Sequence, residues 1–438
     1  MRLSFFAAAV IGVLAVLPGV AYARPGEAII HPTRTPYEQP EAADSPACDA
    51  HFCVHWVASG DDAPPLKDGD GDGVPDYVER VLGIAEHVHQ VENEKLGWRE
   101  PFDDGRRGGD GKTDIYLTEL AGEDVFGYTA TDPSSGGDRR SAYLVLDNDY
   151  SPFEYPGTTQ GHDLKVTLAH EYDHVLQYSY AALDVERDPW FAEATAVWME
   201  DQVYNGINDY LRYVRRWVKM WSTPLTEGSI KEYGSAVWNE WLARHYGRSI
   251  IREAWEDAAE ARPRGFAVAA YEKAIRAAGP SSFGRDFTRF AADVAEWRTG
   301  AGFRESSLYP DMPRQGTLVL GTTSTRHLRH TTFSLIRVPA TAGSAVEVRL
   351  RAPEGVAAGL ALVGRIGSER KGRVVRSVAY REEGGELVAT LPDPGRFQRI
   401  TAVVVDADTA IRGWDAARDV WDYRGGAEPF RVGDQIVR

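Results

Sequence analysis

The chain has 438 residues, of which 26% are charged, and a formal net charge of −16. That length is enough for two or three domains, each with its own hydrophobic core. The acidity, and the lack of basic stretches with interleaved aromatic residues, exclude nucleic acid as an expected partner. Beyond the N-terminus no apolar run approaches the ~20 residues of a membrane-spanning helix, so we expect no integral membrane segment after processing.

The N-terminus has the pattern of a secretory signal peptide over 1–23. Arg2 provides the positive charge, residues 3–17 are apolar, and Ala21-Tyr22-Ala23 is a small-x-small cleavage site. The apolar run is short for a bilayer, although an uncleaved membrane anchor is the alternative. We therefore expect a secreted or extracytoplasmic protein whose mature chain begins after Ala23.

The segment 24–47 is rich in Pro, Ala and Glu and predicts a linker. Cys48 and Cys53 follow it and are the only two cysteines of the chain. In an oxidising compartment, cysteines this close predict one small disulfide loop. His51 and His55 lie beside them, so a zinc finger is the alternative, but structural zinc sites usually split their ligands into two pairs across a longer loop.

An acidic loop over 68–79 follows a predicted strand at 52–58. Its sequence, DGDGDGVPDYVE, places carboxylates at positions 1, 3, 5, 9 and 12 of a twelve-residue calcium loop, with Gly73 at position 6 for the turn. Position 7 would bind through its backbone carbonyl. An acidic linker is the alternative, and a single such loop is more often a structural clamp than a sensor. The predicted Ca²⁺ ligands are Asp68, Asp70, Asp72, Val74, Asp76 and Glu79.

The rest of the chain predicts an α+β fold. One helix is expected from Pro75 to about Leu96, and strands at 112–118 and 141–147. Further helices are expected at about 163–178, with Asp163 as N-cap, and at about 190–204, 209–221, 233–246 and 283–297. From about 313, short alternating segments between Gly and Pro residues predict an all-β sandwich. We therefore expect two domains, 48–312 and a separate β-sandwich-like 313–438 that supplies no catalytic residue.

The most informative motif is His170-Glu171-Tyr172-Asp173-His174. Residues i and i+4 of a helix share one face, so His170 and His174 can reach one metal ion. Glu171 lies about 100° further round, close enough to handle a metal-bound water without being a ligand. A catalytic zinc has three protein ligands and one open position, and Glu193, in an apolar segment, would be the third. The alternative, a solvated helix with two chance histidines, is disfavoured by the apolar residues around the motif.

This pattern resembles the gluzincin class of zinc peptidases, which includes thermolysin-like and aminopeptidase N-like enzymes. Eighteen residues separate His174 from Glu193, a spacing typical of the aminopeptidase N-like group. The layout is more similar still to a family of exported bacterial metalloproteases in which a thrombospondin-type-3-like calcium loop precedes the zinc helix. The matching segments lie within 48–205 and are DGDGDGVPDYVERV, KTDIYL, AYLVLDNDY, LAHEYDHVLQYSY and WFAEATAVWMED.

The resemblance implies a zincin-like domain in which His170, His174 and Glu193 bind Zn²⁺. It also implies that Glu171 is general base and proton shuttle. Tyr233 lies in a segment similar to a gluzincin helix whose tyrosine donates a hydrogen bond to the developing oxyanion. A tyrosine of the core is the alternative at that position.

The chain departs from the gluzincin patterns at two places. The Gly-x-Met-Glu-Asn segment with which aminopeptidase N-like enzymes hold a substrate N-terminus is absent, so the spacing alone does not predict an aminopeptidase. Val197 stands where thermolysin-like enzymes carry an aspartate four residues after the third ligand. Support for the histidines must then come from elsewhere, and Glu200 and Asp201 are the candidates.

These features predict a secreted zinc peptidase that acts on a peptide or protein substrate. An extended substrate would add to an edge strand, for which 141–147 is the candidate. One alternative is a calcium-stabilised binding or adhesive protein with a vestigial zinc site, and another is a zinc hydrolase with a non-peptide substrate. Glu171 argues against the first, because a purely structural zinc site has no use for a base that is not a ligand.

Overall fold

The protein has an α+β fold in which a region of mixed helices and strands is followed by a C-terminal all-β region. The computed structural model describes residues 37, 39–123, 125–132, 137–155, 159–300, 302–319, 321–339 and 343–437. The predicted signal peptide at 1–23 and much of the predicted linker at 24–47 lie outside these residues. Within the described ranges, no helix is both long enough and apolar enough to cross a membrane.

Contacts between residues divide the chain into two compact units. The first comprises Met1–Glu186 and Thr195–Asp209, and the second comprises Arg187–Ala194 and Tyr210–Arg438. The division expected from the sequence lies at 312/313, where the helical pattern gives way to strands. The C-terminal strands therefore share a unit with the helices from Tyr210 onwards and do not form a unit alone.

A five-stranded mixed sheet forms the centre of the first unit. Its strands are β1 (Ala47–Cys48), β2 (Phe52–His55), β3 (Thr113–Thr118), β4 (Gly127–Thr131) and β5 (Ala142–Asp147). Their order is β1-β2-β3-β5-β4, with β2, β3 and β5 parallel and both outer strands antiparallel to their neighbours. Nearly every residue of β3 and β5 is buried, as in strands covered on both faces. The expectation that 141–147 is the edge strand is wrong, because β4 pairs with β5 and covers it.

Two long helices accompany this sheet. Helix α1 (Asp76–His89) begins directly after Pro75, as expected, and ends in a π-helical turn at Gln90–Lys95. Helix α2 (Gln160–Arg187) is almost wholly buried. A non-helical residue, Ala181 (φ −156°, ψ 80°), kinks α2 near its end.

The start of α2 differs from the expectation. Asp163 is not the N-cap, because the helix begins three residues earlier, at Gln160. The carbonyl oxygen of Thr159 accepts hydrogen bonds from the amides of His162 and Asp163, so Asp163 lies inside the first turn. A carboxylate in the first turn is favourable wherever the helix begins, which is why its position did not fix the boundary.

Helix α3 (Pro189–Val203) is the predicted helix that carries Glu193. The helices that follow α3 all belong to the second unit and are α4 (Leu211–Lys219), α5 (Ile230–Gly234), α6 (Ala236–Tyr246), α7 (Ser249–Ala258), α8 (Ala267–Ala278) and α9 (Phe283–Val294). The single helix expected at 233–246 is two helices, α5 and α6. The hydroxyl of Ser229 caps α5 by accepting a hydrogen bond from the amide of Lys231, so Tyr233 lies near the end of α5 and does not begin a helix.

The C-terminal strands form two four-stranded sheets and one hairpin. The strands are β6 (Thr323–Leu328), β7 (Thr332–Val338), β8 (Ala345–Ala352), β9 (Ala358–Ile366), β10 (Arg373–Arg381), β11 (Gly385–Pro392), β12 (Arg399–Asp406), β13 (Ile411–Asp415), β14 (Val420–Tyr423) and β15 (Glu428–Val437). The sheet orders are β10-β9-β12-β7 and β11-β8-β15-β6, and all pairs are antiparallel. Alternate residues of β8 and β11 are buried and exposed, the pattern of a sandwich with one face in the core and one in solvent.

A buried carboxylate joins the helices of the second unit to its strands. Glu296, just after α9, is 2% exposed. Its side chain forms ion pairs with Arg314 (3.2 Å), with Arg365 of β9 (3.2 Å) and with Arg399 of β12 (2.7 Å). A chain ending at 312 would lose all three arginines and leave this charge buried without compensation, which is strongly destabilising.

Candidate metal centre

Helix α2 places two histidines one turn apart in a buried environment. His170 is 5% exposed and His174 is 4% exposed. Their ring centroids are 4.8 Å apart and the ring planes are almost perpendicular, at 84°. Two buried imidazoles one turn apart are expected to share a bound ion. Their burial argues against the alternative of a solvated helix face with two chance histidines.

Each histidine is oriented through its Nδ1 atom. Nδ1 of His170 lies 2.8 Å from Oε1 of Glu200 on α3, and Nδ1 of His174 lies 2.9 Å from Oε1 of Gln177. Both partner atoms accept hydrogen bonds, so both Nδ1 atoms carry the proton and the lone pair is on Nε2. This tautomer leaves Nε2 as the nitrogen that can bind a metal ion.

The orientation of Gln177 is itself fixed. Its amide nitrogen donates a hydrogen bond of 2.5 Å to Oδ2 of Asp173, so its oxygen must face His174. Of the two residues expected to support the histidines, Glu200 contacts His170. Gln177 was not anticipated, although a polar residue three positions after His174 lies on the neighbouring turn and could have been considered.

Glu193 lies on α3 two turns before Glu200. Glu200 comes seven positions after Glu193, so their side chains point in directions only about 20° apart. Glu193 is 5% exposed. One ligand atom from each of His170, His174 and Glu193 lies within 4.8 Å of the other two.

Glu171, the expected base, is 2% exposed. The hydroxyl of Thr129, on β4, lies 2.8 Å from Oε2 of Glu171 and 2.7 Å from its main-chain oxygen. Strand β4 comes close to α2 because of Gly127, where a Cβ would lie 2.8 Å from Cγ2 of Thr167. Thr129 was missed in the sequence because β4 has too few apolar residues to be recognised as a strand.

A further buried carboxyl lies near this site. Glu92, in the π-helical turn, has no exposed surface. Burial raises its pKa well above the ordinary range and the Asp173 carboxylate raises it further, although His170 opposes both. Burial of Glu92 therefore favours its uncharged form.

The acidic loop brings together three of its predicted calcium ligands. Carboxylate oxygens of Asp68, Asp70 and Asp72 lie within 4.8 Å of one another on an exposed surface. Asp68 accepts hydrogen bonds from the amides of Gly71 (2.7 Å) and Gly73 (3.0 Å), which lowers its pKa. The loop therefore has a compact turn with its carboxylates gathered at one end.

The other three predicted ligands are placed differently. Asp76 accepts from Nζ of Lys67 (2.7 Å) and from the amide of Gly69 (2.8 Å), and it is not part of the three-carboxylate group. Glu79, in the first turn of α1, has a raised pKa through partial desolvation and then through the charges of Asp70 and Asp72. The amide of Val74 donates 2.8 Å to Asp72, and the use of its carbonyl stays a prediction.

The predicted disulfide is confirmed. Cys48 and Cys53 are bonded and face each other across the β1–β2 pair. A mixed group, His51, Glu86 and His89, lies beside this loop. The His51 and His89 rings are stacked, with centroids 3.7 Å apart and planes 16° apart, so they cannot both hold one ion in their ring planes. Glu86 instead accepts from the amide of His51 (3.0 Å) and thereby joins α1 to the disulfide loop.

Tyr233 lies in the interior of the second unit and is 5% exposed. Its ring stacks on Tyr213 of α4, with centroids 5.0 Å apart and planes 25° apart. The next residue, Gly234, allows this packing, because a Cβ there would lie 2.5 Å from Cβ of Trp217. The catalytic role of Tyr233 stays a prediction.

The chain is similar to one family whose function is unknown. The model of that family, DUF6055, matches residues 153–306. The matched range includes α2 and α3 with the two histidines, Glu171 and Glu193, and it excludes the acidic loop and the β-sandwich. No curated protein matches the chain in sequence.

Proposed function

We propose that the protein is an exported zinc peptidase. The observation that carries this proposal is the pair of buried histidines on α2 whose Nδ1 atoms are both held by acceptors, Glu200 and Gln177. With Nδ1 held in this way, each imidazole offers Nε2 as its metal-binding nitrogen. The export signal, at 1–23, supports the location but not the chemistry.

Zn²⁺ fits the donor set. Two imidazoles and one carboxylate, from His170, His174 and Glu193, are the ligands of many catalytic zinc sites and leave a fourth position open. Glu200 and Gln177 support the two imidazoles, as carboxylates and amides do around such ions. A zinc ion bound there would supply a Lewis acid that polarises a carbonyl group and acidifies water.

Glu171 is the residue that would move the proton. Its carboxylate would accept a proton from the attacking water and pass it to the leaving amine. The Thr129 hydroxyl suits both states of this carboxyl group. It can donate to the carboxylate, or it can accept from the neutral acid while donating to the main-chain oxygen of Glu171.

The substrate would extend along β4. This strand is the outermost of its sheet in the described chain, and its Thr129 contacts the proposed base. An extended peptide could therefore pair with β4 and present one of its carbonyl groups beside Glu171. This assignment replaces 141–147 as the expected site of strand addition.

The acidic loop would bind Ca²⁺ as a structural clamp. Its carboxylates lie on the segment that leads into α1, and α1 packs next to the disulfide loop through Glu86. A bound ion would offset the repulsion among Asp68, Asp70 and Asp72 and fix the start of α1. It would take no part in the chemistry.

The decisive experiment changes Glu171 to Gln. Glu171→Gln keeps the shape of the side chain and the three metal ligands, but it cannot accept a proton. We expect roughly 100- to 10,000-fold slower hydrolysis of a mixed peptide library, read by mass spectrometry. Zinc content, measured by atomic emission, should stay near that of the unaltered chain.

The controls separate the enzyme from its alternatives. His170→Ala should lose both zinc and activity, whereas Glu94→Gln, at an exposed carboxylate of the π-helical turn, should change neither. Equal peptide hydrolysis by the zinc-loaded Glu171→Gln and unaltered chains would refute the mechanism. A zinc-loaded chain that hydrolyses no peptide would favour a binding protein or a hydrolase with another substrate.

A further inference from the structure

The solvent face of one sandwich sheet carries an unusual row of side chains. Arg431 of β15 lies directly opposite Arg351 of β8 in the strand register. On the far side of β15 the same residue faces Thr325 of β6, and on the far side of β8 Arg351 faces Glu386 of β11. Thr325, Arg351, Glu386 and Arg431 are all exposed, and Arg351 stands between two buried residues of β8, so this row belongs to the exposed face.

Two like charges in directly opposite positions weaken a sheet. The neighbouring Arg349 forms ion pairs with two carboxylates, those of Glu347 (2.7 Å) and Glu386 (2.7 Å). In the described part of the chain, neither Arg351 nor Arg431 forms an ion pair. The acidic group that could neutralise Arg351 is thus occupied by Arg349, and two guanidinium groups are left side by side on a chain of net charge −16.

The same face is concave. A groove of about 670 Å³ is lined by Gly321, Thr322, Thr323, Thr325, Arg349, Leu350, Arg351, Glu386, Arg431 and Gly433. Gly433 lies between Arg349 and Thr323 in the register. A Cβ at Gly433 would lie 3.1 Å from the carbonyl oxygen of Thr322 and 3.4 Å from the hydroxyl of Thr323, so a side chain there would enter the rim of the groove. Glycine within a strand marks a close approach of this kind.

The lining selects the class of ligand. Two adjacent arginines bind carboxylate or phosphate oxygens with forked hydrogen bonds. Threonine hydroxyls both donate and accept, and Glu386 accepts, so neutral hydroxyl groups of a ligand would find partners. An acidic peptide would bring several carboxylates close to Glu386, whereas a sugar also brings many hydroxyl groups that can donate to it. None of the described lining residues is aromatic, which disfavours stacking of nucleobases or of neutral sugar rings.

We infer that this groove binds an acidic oligosaccharide, with a sugar carboxylate between Arg351 and Arg431 and sugar hydroxyls on the threonines and Glu386. The volume accommodates more than a single anion. The inference does not depend on the proposed peptidase activity, because every residue of the groove belongs to the β-sandwich.

The test uses the full chain and oligogalacturonate of four to six sugars as the probe. We expect saturable binding by isothermal titration calorimetry. Binding should weaken by at least roughly tenfold in Arg351→Ala/Arg431→Ala, which removes the forked contacts. The matched control, Arg373→Ala/Arg381→Ala, removes the same charge from exposed positions of β10 in the other sheet and should change affinity less than about twofold.

A second measurement keeps the test independent of folding. The probe should raise the Tm of the unaltered chain and of the control, but not that of the Arg351/Arg431 variant. Fully methyl-esterified oligomer, which lacks the carboxylates, should bind at least roughly tenfold more weakly. Equal binding by all three proteins, or tighter binding of poly-glutamate than of oligogalacturonate with the same dependence on the two arginines, would overturn the inference.

Discussion

The two candidate metal sites are built in opposite ways. At the buried site, the protein orients each imidazole through a second contact, Glu200 for His170 and Gln177 for His174. At the exposed loop, the carboxylates of Asp68 and Asp72 accept hydrogen bonds from amides of the loop itself. The first site is therefore organised by the fold, and the second would be completed by its ion. We expect removal of the metal ions to leave the side chains of the buried site in place and to make the acidic loop more mobile.

The largest expected effect tests the contacts that organise the buried site. Glu200→Ala removes the acceptor of His170, and Gln177→Ala removes that of His174. Each should weaken zinc binding by roughly 10- to 100-fold, because loss of such supporting contacts has this cost at zinc sites. Competition with a chromophoric chelator measures the affinity. Gln202→Ala, on the same helix as Glu200, is the control. An equal loss of zinc affinity in that variant would show that any substitution in α3 disturbs the site, and that the Glu200 contact has no special role.

The second prediction concerns the acidic loop. With Ca²⁺ present, Asp70→Ala should lower the Tm for unfolding of the first unit by roughly 2–4 °C. This is the change expected when the free energy of unfolding of a domain of this size falls by about 1 kcal/mol. In a calcium chelator the variant should melt at the same temperature as the unaltered chain or slightly above it, because Asp70→Ala removes one of the three repelling carboxylates. Zinc content should not change. A Tm of the unaltered chain that ignores calcium, in protein first freed of metal, would contradict the clamp.

Thr129 offers a smaller effect at the buried site. Thr129→Val removes the hydroxyl beside Glu171 and keeps the shape, so turnover of a peptide should fall by roughly 2- to 13-fold, the equivalent of one typical net hydrogen bond of about 0.5–1.5 kcal/mol. Thr129→Ser retains the hydroxyl and should recover most of the rate. The pH dependence of kcat should shift in Thr129→Val and return in Thr129→Ser. A valine variant with unaltered kcat at every pH would reduce Thr129 to a packing residue.

A buried histidine outside both sites sharpens the comparison, since its partners are carboxylates alone. His55 is 3% exposed and lies 3.0 Å from Asp114 and 3.1 Å from Glu41. Burial disfavours the charged imidazole, but the hydrogen bonds to the two carboxylates outweigh it and raise the pKa of His55. Its stabilising contribution is therefore complete below the unfolded pKa of about 6.5 and is lost as pH rises through the folded value.

The smallest predicted effect follows from the raised pKa of His55, which makes its contribution to stability larger at low pH. His55→Gln should lower the Tm more at about pH 5.5 than at about pH 8.5, because only the charged form of His55 is stabilised by its partners. His162→Gln, at an exposed position in the first turn of α2, is the control for the substitution itself. A His55 variant with the same loss of Tm at both pH values would show that the imidazole is held uncharged.

The sequence predicted those features whose residues are close together in the chain. The α+β class, the Cys48–Cys53 disulfide, the start of α1 and the strand-rich C-terminus all follow from local patterns. Contacts between distant segments were not predictable in the same way. Thr129 reaches Glu171 from a strand 42 positions earlier, and Glu92 approaches Asp173 from a π-helical turn.

The misplaced edge strand has this cause. The segment 141–147 has the apolar character of a strand. Its own sequence contains no signal that β4 pairs with it and becomes the edge strand. The boundary at 313 marks a real change of secondary structure, yet Glu296 joins residues on both sides of it. A change of local pattern therefore need not be a boundary between compact units.

The ion pairs of Glu296 also bear on synthesis. During translation the helices up to α9 leave the ribosome first, and Arg365 and Arg399 follow about 70 and 100 residues later. Until then only Arg314, of the three ion-pair partners described, is available to the Glu296 carboxylate. The helices of the second unit therefore cannot close around this residue before most of the sandwich has been made, and we expect nascent chains released before β12 to be sensitive to proteases.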